Sequence, residues 1–397
     1  MLKPFYGLCF LFIGAAIFFP SAIRAQRPAS PPAESVQTIP LNGDSWNFPP
    51  GKVEFLPAAP AMGGVAPQGP AMKIIDGKAG AVVAKNIDFS EGVIEFDIQP
   101  TDSNFASFYF HRQDARETEC FYFRTGWGAG HPDIMEGVQY TPVIKGISCW
   151  NLMPHYQGNA SFRQDGWNHV RIRITGRHML IYVNSDNRPT LIIPILEGNA
   201  THGSFAFEGQ MTVAHLTVRP IRPADNGIWN ELEGYDPTDN DPRYLRHWQV
   251  SQTDTIPPGT DFGKNLLPGS QSVWSPVKSE RRGLINLTRL FGGTFSPRHI
   301  VWLKTTLHAD REWNYKLHLG FTNDVWVFLN GKYLYLDKNY YDEPSMKTPR
   351  ARLSIENCSF NLPLKAGDNE LLIGVGNDFF GWGIAARLDD NIGLKIE

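Results

Sequence analysis

Over much of this chain, apolar and polar residues alternate with a period of two, the pattern of a strand with one buried face. Between Gly92 and Gln99, Ile94, Phe96 and Ile98 fall on one side, and Val93, Glu95, Asp97 and Gln99 on the other. Similar runs follow at 105–111, 120–125, 146–152, 167–175, 179–183, 191–195, 203–208 and 211–219. Turn-forming residues separate them: Asp165-Gly166, Gly176, and Asn184 to Asn187. Short strands at this spacing predict an antiparallel sandwich or barrel.

The clearest single signal lies further on. Asp324 to Leu329 and Lys332 to Leu336 are rich in Val, Trp, Phe, Tyr and Leu, and Asn330-Gly331 separates them. Asn and Gly tolerate the positive φ that a two-residue hairpin turn needs at both central positions. More strands are predicted at 248–253, 271–274, 283–286, 299–308, 315–321, 351–360, 369–375, 381–388 and 392–396. Only Leu287–Phe291 invites a helical turn. Pro220, Pro223, Asp225 and Gly227 interrupt the pattern, which puts a boundary near residue 225. The expected fold is all-β: two antiparallel β-sandwich (jelly-roll) domains in tandem, over residues 36–224 and 225–397.

Residues 1–25 read as an export signal. Lys3 precedes an apolar run from Phe5 to Phe19, and Ala25 offers a cleavage site. Cys9 sits inside that run, which argues against lipoprotein processing. Residues 26–35, rich in Pro, Ala and Ser, read as a disordered tether. A Gly/Pro-rich stretch from Pro57 to Pro70 reads as loop. A secreted or periplasmic location is expected, with no membrane span.

Composition narrows the partners. Without Lys3 and Arg24, 35 basic residues face 40 acidic ones with no basic stripe, so nucleic acid is a poor match. Eleven Trp, 13 Tyr and 25 Phe suit aromatic-rich β cores, and some of these rings suit sugar platforms. A flat ring complements the C–H face of a pyranose while nearby polar groups take the hydroxyls. Beyond the leader stand Cys120, Cys149 and Cys358. Export permits a Cys120–Cys149 bridge, while Cys358 reads as a buried small hydrophobe. No cofactor motif or zinc spacing is present. Calcium held by loop Asp, Asn and backbone oxygens stays open.

Two resemblances follow from particular motifs. The first rests on Gly92-Val93-Ile94-Glu95-Phe96-Asp97-Ile98, Phe108 to Arg112, Asp165 to Ile172, Met179 to Asn184, and Gly203 to Gly209 with Ala214 to Val218. This half resembles the concanavalin A-like lectin/glucanase superfamily, in particular its laminin-G-like and 3-keto-disaccharide-hydrolase-like domains. The strand ends in Asn184-Ser185 rather than the family's usual Asn-Gly. The second rests on Asp324 to Lys332, Leu362 to Ile373 and Gly376 to Gly383. That half resembles galactose-binding-domain-like jelly rolls. Together the resemblances imply handling of carbohydrate.

Candidate chemistry gathers in two loops. Gly126 to Glu136 presents Trp127 among glycines, with His131, Asp133 and Glu136 as candidate acid/base groups or oxygen ligands. Arg112 and Arg124 lie on strands entering this region, by default as a salt-bridged sheet face and otherwise as contacts for acidic sugars, and Trp150, His155 and Tyr156 follow the next strand. Asn377 to Gly383 carries Asn377, Asp378, Phe380 and Trp382, either as a binding surface or as packing against the first half. Tyr340 to Glu343 forms a second aromatic-acidic loop. Glu95 and Asp97 share a strand face as a hydrolase pair would, but alternate against an apolar set and read as solvated. The favoured reading is a secreted carbohydrate-binding protein. The alternatives are a glycoside hydrolase or keto-sugar-cleaving enzyme, and a non-catalytic envelope or adhesion protein.

Overall fold

A computed structural model describes residues 35–396 apart from 62–66, 103, 226, 262 and 294–296. The expected export signal and nearly all of the tether lie outside the described residues. From Ser35 onward the chain forms one compact unit.

The structure is all-β, and the described strands pair antiparallel in four sheets. Strands up to Arg219 build two of them, stacked over one core. The first sheet centres on Gly92–Pro100, flanked by Asn168–Thr175 and Met211–Arg219. The second runs Ile147–Ser148, Val138–Ile144, Thr118–Arg124, Phe105–Arg112, Ser204–Glu208, Val82–Ala84 and Trp46–Asn47. Strands from His247 onward form the other two, centred on Arg298–Ala309 with Gly367–Gly376 and on Trp313–Phe321. Among the described residues no strand pairing links the two sandwiches.

Local chemistry explains these elements. Asn323–Leu329 and Lys332–Asn339 form the expected hairpin, and Asn330 (φ 52°) and Gly331 (φ 73°) give the turn its two left-handed positions. Asn286 caps the helical turn Leu287–Phe291 by accepting from the Arg289 N–H. In the second sheet, Ala106, Phe108, Phe110, Phe121 and Phe123 enter the core. Their alternates, Phe105, Ser107, Tyr109, Cys120, Tyr122 and Arg124, therefore face the other way.

Several expectations need correcting, among them the strand expected over 351–360, which begins only at Cys358 and runs to Leu364. Val138–Ile144 is a strand that the pattern did not announce, because Gly137 and Pro142 disguise it. The strand expected over 146–152 shrinks to Ile147–Ser148, after which the chain turns. No disulfide joins Cys120 to Cys149; both are free and buried.

Side chains join the two sandwiches. The Asn151 Nδ2 donates to Gly381 O (2.7 Å) and its Oδ1 accepts from Gly381 N (3.0 Å), wholly buried. The Arg281 guanidinium meets Glu197 (2.7 Å), and Lys145 Nζ donates to Leu290 O (2.7 Å). Among the described residues no helix is long and apolar enough to cross a membrane.

Candidate functional site

The outward face of the second sheet is not left flat. Loops from the second sandwich lean over its Ile147–Ser148 side and leave a cleft of about 800 Å³. Phe105, Ser107, Tyr109, Cys120, Tyr122 and Arg124 pave the floor. Trp127 and Trp150 join the wall from the first sandwich, and Tyr341, Arg352, Phe379 and Phe380 join it from the second.

Register sets the floor chemistry. Glu208 pairs with Ser107 across two strands, so its carboxylate reaches diagonally to Tyr109. The Tyr109 hydroxyl donates to Glu208 Oε2 at 2.7 Å. Burial pushes the Tyr109 phenol up, with Cys120 and Glu208 adding to the effect, so it stays a neutral donor. Burial likewise pushes up the Cys120 thiol and the Tyr122 phenol. Tyr122 faces Gln139 and donates to its Oε1 at 2.9 Å. Gln139 Nε2 in turn donates to Trp150 O at 2.8 Å, tying floor to wall.

The wall is a lattice of rings. Trp150 meets Tyr341 edge to face (5.6 Å) and Phe380 in the same manner (5.6 Å), and Tyr341 stacks near-parallel on Phe379 (5.9 Å). The Arg352 guanidinium lies 5.0 Å from the Trp150 ring centre, and that of Arg350 5.5 Å from Trp127. Trp127 rides on a helical turn, Thr125–Gly128, and is 39% exposed. Gly128 there packs so closely that an added Cβ would sit 2.8 Å from Gly137 Cα and 3.0 Å from the Phe162 ring.

The residues singled out from sequence divide sharply. Trp127, Arg124, Trp150 and Phe380 line the cleft together. His131 and Asp133 are exposed and stand outside it. Glu136 borders it through its ion pairs with Arg352 (3.4 Å) and Arg350 (3.8 Å). These three residues therefore form no acid/base group over the cleft. Arg112 ends its strand away from the lining. Asn377 is buried and accepts from the His299 N–H at 2.8 Å, and Asp378 pairs with Arg298 at 3.6 Å.

Trp382 requires a correction. It is 1% exposed, sits in the core of the second sandwich, and donates its indole N–H to Gly292 O at 2.7 Å. The flanking glycines let its backbone run close to Asn151 and Ile285 rather than present the ring to solvent.

Sequence reading missed Phe105, Tyr109, Tyr122 and Glu208 on the floor and Arg352 on the wall, whereas Tyr341 and Phe379 lie in the two aromatic loops it singled out. A signal existed for the floor: Phe105, Tyr109 and Tyr122 are aromatic on the face that should be polar. Among the described residues no group of three His, Cys, Asp or Glu side chains is spaced to hold a metal ion.

No protein-family model matches the sequence, and no curated protein matches it. Among solved structures, the chain is similar to the carbohydrate-binding module CBM66 from Bacillus subtilis, at 14% identity and TM-score 0.29 over 44% of this chain and 92% of that one. It is similar to a Bacillus licheniformis β-glucanase at 10% identity and TM-score 0.31, over 48% of this chain and 100% of that one. It is also similar to a β-glucosidase from Kluyveromyces marxianus in complex with glucose, at 13% identity and TM-score 0.25, over 35% of this chain but only 16% of that one. Likenesses this distant do not bear on what the cleft holds.

Proposed function

We propose that this is an exported carbohydrate-binding protein that lays a short glycan segment in the cleft over its second sheet. One observation carries the reading. Exposed or half-exposed rings (Phe105, Trp127, Trp150, Tyr341) share a cleft with fixed polar pairs, Tyr109–Glu208 and Tyr122–Gln139. Rings offer flat apolar area to sugar C–H faces, and carboxylate and amide oxygens with neutral phenols offer acceptors and donors to hydroxyls. The volume, about 800 Å³, falls in the range of small-ligand sites. Contributions from both sandwiches make the second one part of the binding wall rather than a spacer, which favours recognition over the adhesion reading.

The test is binding of the full chain to a panel of polysaccharides by affinity electrophoresis, followed by titration of the best oligosaccharide. Trp127→Ala and Phe105→Ala should each weaken binding by roughly tenfold or more, in keeping with ~1–3 kcal/mol for a buried aromatic contact. Unaltered binding in both variants, or no binding of any glycan by the wild type, would overturn the reading.

A further inference from the structure

Three guanidinium groups gather around Glu136 at the aromatic wall of the cleft, two at its carboxylate and one at its backbone oxygen. Glu136 Oε1 lies 3.4 Å from Arg352 Nη1 and its Oε2 lies 3.8 Å from Arg350 Nε. The Glu136 backbone oxygen takes a hydrogen bond from Arg124 Nη1 at 2.7 Å. Arg124 is 3% exposed, and each of its hydrogen bonds goes to a neutral acceptor: Glu136 O, Gln157 Oε1, Tyr122 OH and Gln139 Oε1. Among the described residues no carboxylate comes within ion-pair distance of it. Arg352 is 2% exposed, and its Nε is buried without a hydrogen-bond partner. Both arginines line the cleft. The floor carboxylate, Glu208, lies two strands across and is engaged by Tyr109.

A buried charge is costly unless it is paired. Here two almost wholly buried guanidiniums line the cleft, and the Glu136 carboxylate reaches only that of Arg352. Burial first and the Arg124 charge second lower the Arg352 pKa, and the Glu136 carboxylate works against them. The planar fork of an arginine matches a carboxylate with two parallel hydrogen bonds.

The geometry points to a carboxylate-bearing sugar, a uronic acid residue, seated with its carboxylate on Arg124 and Arg352 near Trp127. This deepens the carbohydrate-binding reading and rests on it. The acidic oligosaccharide supplies Arg124 with the counter-charge it lacks among the described residues, and Arg352 with a second one beside Glu136.

Calorimetric titration of the full chain tests it. The probes are tetramers of galacturonate, mannuronate and glucuronate, their carboxyl-reduced counterparts, and a sulfated oligosaccharide. At least one uronate tetramer should bind roughly tenfold or more tighter than its reduced form, with the gap narrowing as salt rises. Arg352→Gln should abolish the gap between each uronate tetramer and its reduced form. The wild-type comparison stands even if that variant folds poorly. Equal affinity for acidic and reduced tetramers overturns the inference and leaves the carbohydrate reading intact. Preference for the sulfated probe over every uronate overturns the carboxylate assignment. Failure of every sugar, neutral or acidic, overturns both.

Discussion

Glu119 lies beneath the cleft floor, on the core side of Thr118–Arg124, and is fully buried. Its Oε2 accepts from Tyr140 OH at 2.8 Å and its Oε1 from Gly198 N at 3.1 Å. Gly198 is there because any Cβ would collide with this carboxylate. Burial dominates over both hydrogen bonds and the Arg177 charge, and pushes the Glu119 pKa from 4.5 up to about 7. The folded protein therefore holds this proton until about pH 7, whereas the unfolded chain releases it near 4.5. Between those values the unfolded state binds fewer protons, so stability falls as pH rises and then levels off. A raised carboxyl of this size amounts to a loss on the order of 3 kcal/mol across the window. Burial also depresses the imidazoles of His111, His155 and His178, which gives the opposite slope. The measurement is therefore a difference: urea unfolding of the wild type and of Glu119→Gln at a series of pH values. Glutamine cannot titrate, so wild-type stability relative to the variant should decline as pH climbs from about 4.5 to about 7. A flat or rising difference would refute the assignment of that proton to Glu119.

Trp382→Ala should cost ~3–5 kcal/mol in unfolding free energy, as for a large core truncation, whereas Trp127→Ala should change stability by under ~0.5 kcal/mol and instead weaken sugar binding; a thermal melt beside a titration separates the two. Asn151→Ala leaves Gly381 N–H without its acceptor while Gly381 O keeps Thr322 Oγ1 (3.1 Å), so a loss of ~1–3 kcal/mol is expected in denaturant unfolding. Gly381→Ala would put a Cβ 2.9 Å from both Asn151 Oδ1 and Leu152 Cγ. It should destabilise by ~1–3 kcal/mol and blunt glycan binding through the adjacent Phe380 wall, read by the same two assays.

Fold class was legible because period-two alternation is a local property. Gly92–Pro100 and the Asn330-Gly331 hairpin carry their instructions within a dozen residues. Val138–Ile144 was not legible, because Pro142 normally argues against a strand flanked on both sides. Its neighbours Thr118–Arg124 and Ile147–Ser148 hold it in place all the same, a tertiary effect that no local pattern displays.

The cleft was legible only on the side that one strand face can specify. Alternation says that Phe105, Tyr109 and Tyr122 point away from the core; it does not say whether they meet water, a ligand or another part of the chain. Trp127 and Trp382 look alike in sequence, each an indole between two glycines, yet one is 39% exposed and the other 1%. The difference lies in what stands opposite. Trp382 N–H finds Gly292 O inside its own sandwich, and the adjoining backbone is clamped by Asn151, 230 positions away. Trp127 has Arg350 over its face, at a rim the second sandwich leaves open. Arg352 shows the same dependence most sharply. Nothing in its sequence surroundings singles it out, and the docking of Trp150 and Glu136 from the other sandwich makes it a buried charge on a cleft wall. Selectivity for an acidic sugar would thus be a property of the junction, and should respond to substitutions that loosen the junction without touching the cleft.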